Sequence, residues 1–188
     1  MRDLQTKAEA RPDHLIRYEY PKLLASAISA ISDFVSAPPD TIVFVPNATT
    51  GINTIMRNLV FQPGEKIVYF QQIFDSCGKT IQYICETTPA QSVQVNCTYP
   101  VSDDALVDLF RTAVRQEQEA GNTVKIAIFD TVVSQPGVRM PFERLTAACK
   151  ELGVLSCVDA AQGVGQIALD VGKLDPDFVV SNCHKYVS

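Results

Sequence analysis

Histidine is scarce and paired cysteine motifs are missing. The 188 residues hold two histidines, His14 and His184, and six cysteines with no CxxC spacing. A structural zinc site therefore has few candidate ligands, and no metal ligand set is assigned. An excess of basic charge is missing too: 16 Lys and Arg stand against 21 Asp and Glu, a net charge of −5. That balance argues against a nucleic-acid groove, which needs a basic surface. There is no run of about 18 apolar residues, so no membrane-spanning helix is expected. The opening residues Met1-Arg2-Asp3-Leu4-Gln5 are too polar for a signal peptide. Repeats and low-complexity stretches are also lacking. What remains is ordinary globular composition, 46% hydrophobic and 20% charged, which excludes disorder, collagen and coiled coil. Residues 1–188 are expected to form a single domain able to bury a full core. Cys85, Cys149 and Cys157 stand among apolar residues, as buried reduced thiols of a cytoplasmic protein would.

Apolar periodicity then alternates between helix and strand. Residues 20–37 carry Leu23, Leu24, Ala27, Ile28, Ile31, Phe34 and Val35 at helical spacing, ended by Pro38-Pro39. Residues 41–45 read as a strand. A helix with Ile52, Ile55, Met56, Leu59 and Val60 on one face follows, stopped by Gln62-Pro63-Gly64. Further strands are expected at 66–70, 91–97, 124–129, 154–158 and 177–181. Further helices are expected at 75–87, from a Ser102 cap to Gly121, and at 141–152 before Gly153. Strand–helix alternation with crossovers of this length predicts an α/β fold with a mostly parallel sheet between helical layers. In such sheets ligands collect beyond the C-terminal ends of strands.

Three segments lie at such ends. Asn47-Ala48-Thr49-Thr50-Gly51 leads into a helix whose first N–H groups could bind an anion; it reads equally as a plain N-cap. It lacks the GxxxxGK[ST] pattern of a nucleoside-triphosphate loop. Asp159-Ala160-Ala161-Gln162 places an acid in a crowded crevice, where it needs a cationic or hydrogen-bonding partner, or simply caps a loop. Asn182-Cys183-His184-Lys185 offers an amine that could act as a Schiff-base nucleophile, or an ordinary surface lysine.

Together, in this order, the three segments resemble the class V aminotransferase family of pyridoxal-phosphate-dependent enzymes, which have the type I fold. The resemblance runs from about residue 13 to 186. The form Asn182-Cys183-His184-Lys185 is most similar to the isopenicillin-N-epimerase-like branch, which includes C–S lyases. The resemblance implies pyridoxal 5′-phosphate as cofactor and a small amino acid as substrate. It implies that Lys185 is the Schiff-base lysine and moves the proton at Cα, and that Asp159 pairs with the pyridine nitrogen. Gln162 would sit beside the ring's phenolic oxygen, with Ser134 near it. Ala48 and Thr49 would give donors to the phosphate, and His184 and Asn182 would add more. Phe74 would stack on the ring. Asp130 is a weaker candidate for substrate contact.

Family members are longer than this chain, which ends three residues after Lys185. The resemblance therefore implies a large domain incomplete at its C-terminus, without the small domain and without the arginine that commonly holds the substrate carboxylate. Arg139 and Arg57 are the nearest substitutes. Chemistry at a C–S or C–N bond, of the C–S lyase, cysteine-desulfurase or epimerase type, is expected over transamination. Dimerisation is expected if the fold is completed. The alternatives are a catalytically incompetent fragment that binds only cofactor or a full-length partner, and a nucleotide-binding domain using the Asn47–Gly51 turn.

Overall fold

The computed structural model describes residues 2–186. The chain divides into two units, Met1–Phe44 and Val45–Ser188. In the first, helix α1 spans Arg2–Ala10, a short α2 spans Pro12–His14, and a wider π-type stretch, Leu15–Glu19, leads into α3, Tyr20–Val35. Pro21 sits in the first turn of α3, where its missing N–H costs nothing. The helix ends at Ser36, which adopts left-handed backbone (φ 54°) and donates its N–H to Ser32 O.

The strand expected at 41–45 does not form. Pro39–Thr41 makes a 3-10 turn, and Ile42 is extended at φ −104° and ψ 131°. Residues 42–45 nonetheless join no ladder among the described residues. β-Branched and aromatic side chains favour extended backbone, but a strand also needs a neighbour for its N–H and C=O groups. Val43, 78% exposed, shows that this stretch also lacks a packing surface.

The second unit is built on five strands: β1 (Glu65–Phe70), β2 (Gln91–Val95), β3 (Thr123–Asp130), β4 (Leu155–Asp159) and β5 (Phe178–Val180). All neighbours pair parallel, in the order β2-β1-β3-β4-β5. Helix α4 (Ala48–Asn58) precedes them, α5 (Asp75–Thr87), α6 (Asp103–Glu119), α7 (Phe142–Leu152) and the short α8 (Val171–Leu174) lie between them, and the short α9 (Cys183–Tyr186) follows. The strand and helix positions agree with the sequence reading to within a few residues. The two four-residue helices escaped it, because one turn is too short to display a period.

Side-chain alternation sorts the core into two layers. On one face of the sheet Phe110, Phe142 and Leu145 of α6 and α7 pack with Val68, Phe70 and Phe129. On the other, Ile52 and Met56 of α4 and Ile81 and Ile84 of α5 pack with Ile67, Ile126, Ile128 and Cys157. Adjacent strand residues such as Ile128 and Phe129 thus serve opposite layers, as the two-residue period of a strand requires. Each such fully buried side chain contributes about 1.5–3 kcal/mol relative to exposure. Helix α4 approaches β5 closely: a β-carbon at Gly51 would lie 2.7 Å from Val180 Cγ1. Because every strand runs the same way, all five C-terminal ends open on one edge of the sheet.

Candidate functional site

Two acids close neighbouring strands at that edge. Asp130 ends β3 and Asp159 ends β4, and they are register partners across the ladder. Asp130 has the same alternation phase as Ile126 and Ile128, and Asp159 the same as Cys157, so both side chains face the α4–α5 layer. They are 8% and 4% exposed. The Asp159 carboxylate accepts the Ala161 N–H on Oδ1 at 2.9 Å and the Cys77 thiol on Oδ2 at 3.7 Å. Both donors are neutral, and no salt bridge reaches Asp159 among the described residues. Burial raises the Asp159 carboxyl above the ordinary carboxylate range, against the opposing pull of these two donors and the Lys185 ammonium. Asp130 is raised well above its ordinary value, first by burial and then by the charge of Asp159, with Lys185 opposing.

The turn after β4 is tight. Gly163 N–H reaches Ala160 O at 2.9 Å, and the Thr131 N–H donates to Asp159 O at 2.9 Å. Gly163 is needed because a β-carbon there would lie 2.4 Å from Thr131 Oγ1. Gln162 sits half-buried in this turn. The end of β5 is stitched to the same turn: Ala160 N–H donates to Val180 O at 2.7 Å, and the Ser181 hydroxyl to Ala160 O at 2.8 Å.

Helix α4 starts beside these ends. Asn47 caps it by accepting the Thr50 N–H at 2.8 Å. The Ala48 N–H donates to Asn182 Oδ1 at 2.9 Å, a buried bond between residues 134 apart in sequence. Ala48 and Asn182, both expected as phosphate donors, are thus committed to each other by this bond. Thr49 is half-buried in the first turn of α4. His184 and Lys185 follow on α9, both exposed. Lys185 lies close enough for its charge to act on both acids.

Phe74 stands at the N-cap of α5, 45% exposed, which suits a ring waiting for a planar partner. Ser134 is exposed in the loop bounded by the Val132–Arg139 bridge. The two arginines considered for substrate are engaged elsewhere. Arg139 pairs with Glu143, and Arg57 donates to Asn53 Oδ1 at 3.0 Å while lying over the Tyr83 ring.

The structure thus gathers Asp159, Asn182, Ala48 and Lys185, adds Cys77, and brings the weaker candidate Asp130 beside Asp159. Cys77 fell inside the helix expected at 75–87 and was given no role, and its place three residues after Phe74 was the available clue. Asp130 had counted as a weak candidate, and the shared register with Asp159 is visible only once the strands pair.

The sequence profile described as aminotransferase class-V matches residues 5–188. The chain is 34% identical over 187 residues to the L-cysteine desulfhydrase-like protein lolT1 of Epichloe uncinata, covering 100% of this chain and 41% of that protein. It is 31% identical over 195 residues to an L-cysteine desulfhydrase of Arabidopsis thaliana, covering 98% and 43%. Among solved structures, the cystine C–S lyase C-DES in complex with its reaction product cysteine persulfide superposes with a TM-score of 0.78 at 20% identity, over 88% of this chain and 43% of that one. The chain therefore spans less than half the length of the relatives it matches.

Proposed function

Because the chain belongs to the class V aminotransferase family, we propose that residues 1–188 are part of the cofactor-binding large domain of a pyridoxal-5′-phosphate-dependent enzyme that breaks a C–S bond in a small, cysteine-like amino acid. The observation that carries this reading is Asp159, a buried acid whose hydrogen-bond donors among the described residues are neutral, at the edge where a helix N-terminus and Lys185 also lie. A buried carboxylate in that state is completed by a cationic ring nitrogen. The rest of the donor set suits the same molecule, with Thr49 in the first turn of α4 for a phosphate and an exposed aromatic face at Phe74.

Pyridoxal 5′-phosphate, when bound, supplies an electron sink for negative charge developing at the substrate Cα. Asp159 holds the positive charge on the ring nitrogen in place. Thr49 and the first turn of α4 bind the phosphate, and Asn182 fixes where that turn begins. His184 adds a polar group beside it. Phe74 covers one face of the ring and excludes water from it. Gln162 and Ser134 orient the phenolic oxygen. The Lys185 amine would hold the cofactor through its carbonyl group and, once the substrate amine has displaced it, would carry the proton to and from the substrate Cα.

Similarity to L-cysteine desulfhydrases supports the choice of a sulfur-bearing substrate over plain transamination. With the fold completed, the working form is a homodimer in the cytoplasm, and sedimentation of the completed protein as a monomer would count against it. No helix among the described residues is long and apolar enough to cross a membrane. The deciding experiment adds pyridoxal phosphate and records the visible spectrum. A new band is expected in the wild type, with a borohydride-trapped adduct, and both are expected to vanish in Lys185→Ala. A wild type with neither signal sinks the proposal.

A further inference from the structure

We infer that Cys77 is a positioning residue for Asp159: its thiol donates to Oδ2 and holds the carboxylate in the orientation that meets the cofactor's ring nitrogen. This rests on the pyridoxal-phosphate reading above.

The geometry is specific. Asp159 has two carboxylate oxygens and two neutral donors, one to each: the Ala161 N–H on Oδ1 at 2.9 Å and the Cys77 Sγ on Oδ2 at 3.7 Å. The first comes from the acid's own turn and follows it. The second comes from another element, so it ties the carboxylate to α5. Both groups are buried, and a donor that water cannot replace is worth more there than at the surface. The thiol is in the right state for the task. Burial, then the charges of Asp159 and Asp130, push Cys77 up to about 12, so it stays protonated and can only donate to the acid.

Placement on α5 adds a second consequence. Cys77 lies in the first turn, and its N–H donates to Phe74 O at 2.8 Å. One helical turn therefore carries both the aromatic face and the prop behind the acid. Moving α5 would displace both together, so the ring's face and its nitrogen are located by a single element.

The test has two arms. In the cofactor-free protein, infrared spectroscopy of the S–H stretch should show a hydrogen-bonded band that is missing in Cys77→Val. In Asp159→Ala it should move to the position of a free thiol. Pyridoxal-phosphate titration should then show Cys77→Val binding about five- to tenfold more weakly than wild type, with an altered pH dependence of its visible band. Cys77→Ser, which keeps a donor, should bind within about twofold of wild type. Equal affinity and an unchanged pH profile in Cys77→Val would overturn the positioning role. A shifted S–H band in a wild type that binds no pyridoxal phosphate would overturn the cofactor reading and leave the thiol–carboxylate bond supported. An unshifted band in a wild type that does bind it would overturn the thiol–carboxylate bond alone.

Discussion

A single methyl group is enough to test the turn that presents Asp159. Gly163→Ala would put a β-carbon 2.4 Å from the buried Thr131 Oγ1. Thr131 also donates its N–H to Asp159 O, so relief by moving it would disturb the strand end that carries the acid. The expected cost is about 1–3 kcal/mol, as for other overpacked cores, read as a lowered urea midpoint. An unchanged midpoint would mean that the turn is looser than described. At this scale the sequence was informative where chemistry is rare. An acid directly after an apolar run and a lysine after Asn-Cys-His stand out from any background. Cys77 did not, because a cysteine in an apolar helix stripe has the same pattern whether or not its thiol meets a carboxylate. That distinction depends on which strand ends beneath it, and local sequence does not carry it.

Elements were legible to the extent that their signals are local. Helix α5 was expected at 75–87 and is found at Asp75–Thr87. Helix α6 begins where Ser102 was expected to cap it, the serine hydroxyl accepting the Ala105 N–H at 3.2 Å. Ser102→Ala should therefore cost about 1 kcal/mol, measured by chemical denaturation, and Ser102→Asp should restore most of it. A neutral Ser102→Ala would show that the acidic first turn, Asp103 and Asp104, sustains the helix start alone. The segment at 41–45 failed for the opposite reason. A strand is defined by its partner, and nothing within five residues states whether one is there. The slip between Lys66 and Ile67 in the β1–β3 pairing is invisible for the same reason.

Across the whole molecule, the two buried acids make this edge of the sheet a source of instability at neutral pH. Both carboxyls titrate higher in the folded protein than the ordinary value of 3.8 expected of an unfolded chain. The folded state thus holds more protons than the unfolded one between those values. Stability is then greatest below about pH 4 as far as these groups are concerned, and falls as pH rises through the raised values. Asp130→Asn removes one of the two charges and should raise the urea midpoint near neutral pH. The gain should shrink towards zero at about pH 4. A variant less stable than wild type at both pH values would refute this reading. Loss of stability at a site in exchange for a reactive environment is common where function requires buried charge.

The bond between Ala48 and Asn182 spans 134 residues. A ribosome makes the start of α4 long before it makes the asparagine that ties it down. While the nascent chain is short of that point, the helix end lacks this tether. The start of α4 is therefore tied to the end of β5 only after Asn182 has been made, so this part of the fold closes by a contact between distant stretches of chain and not by local order.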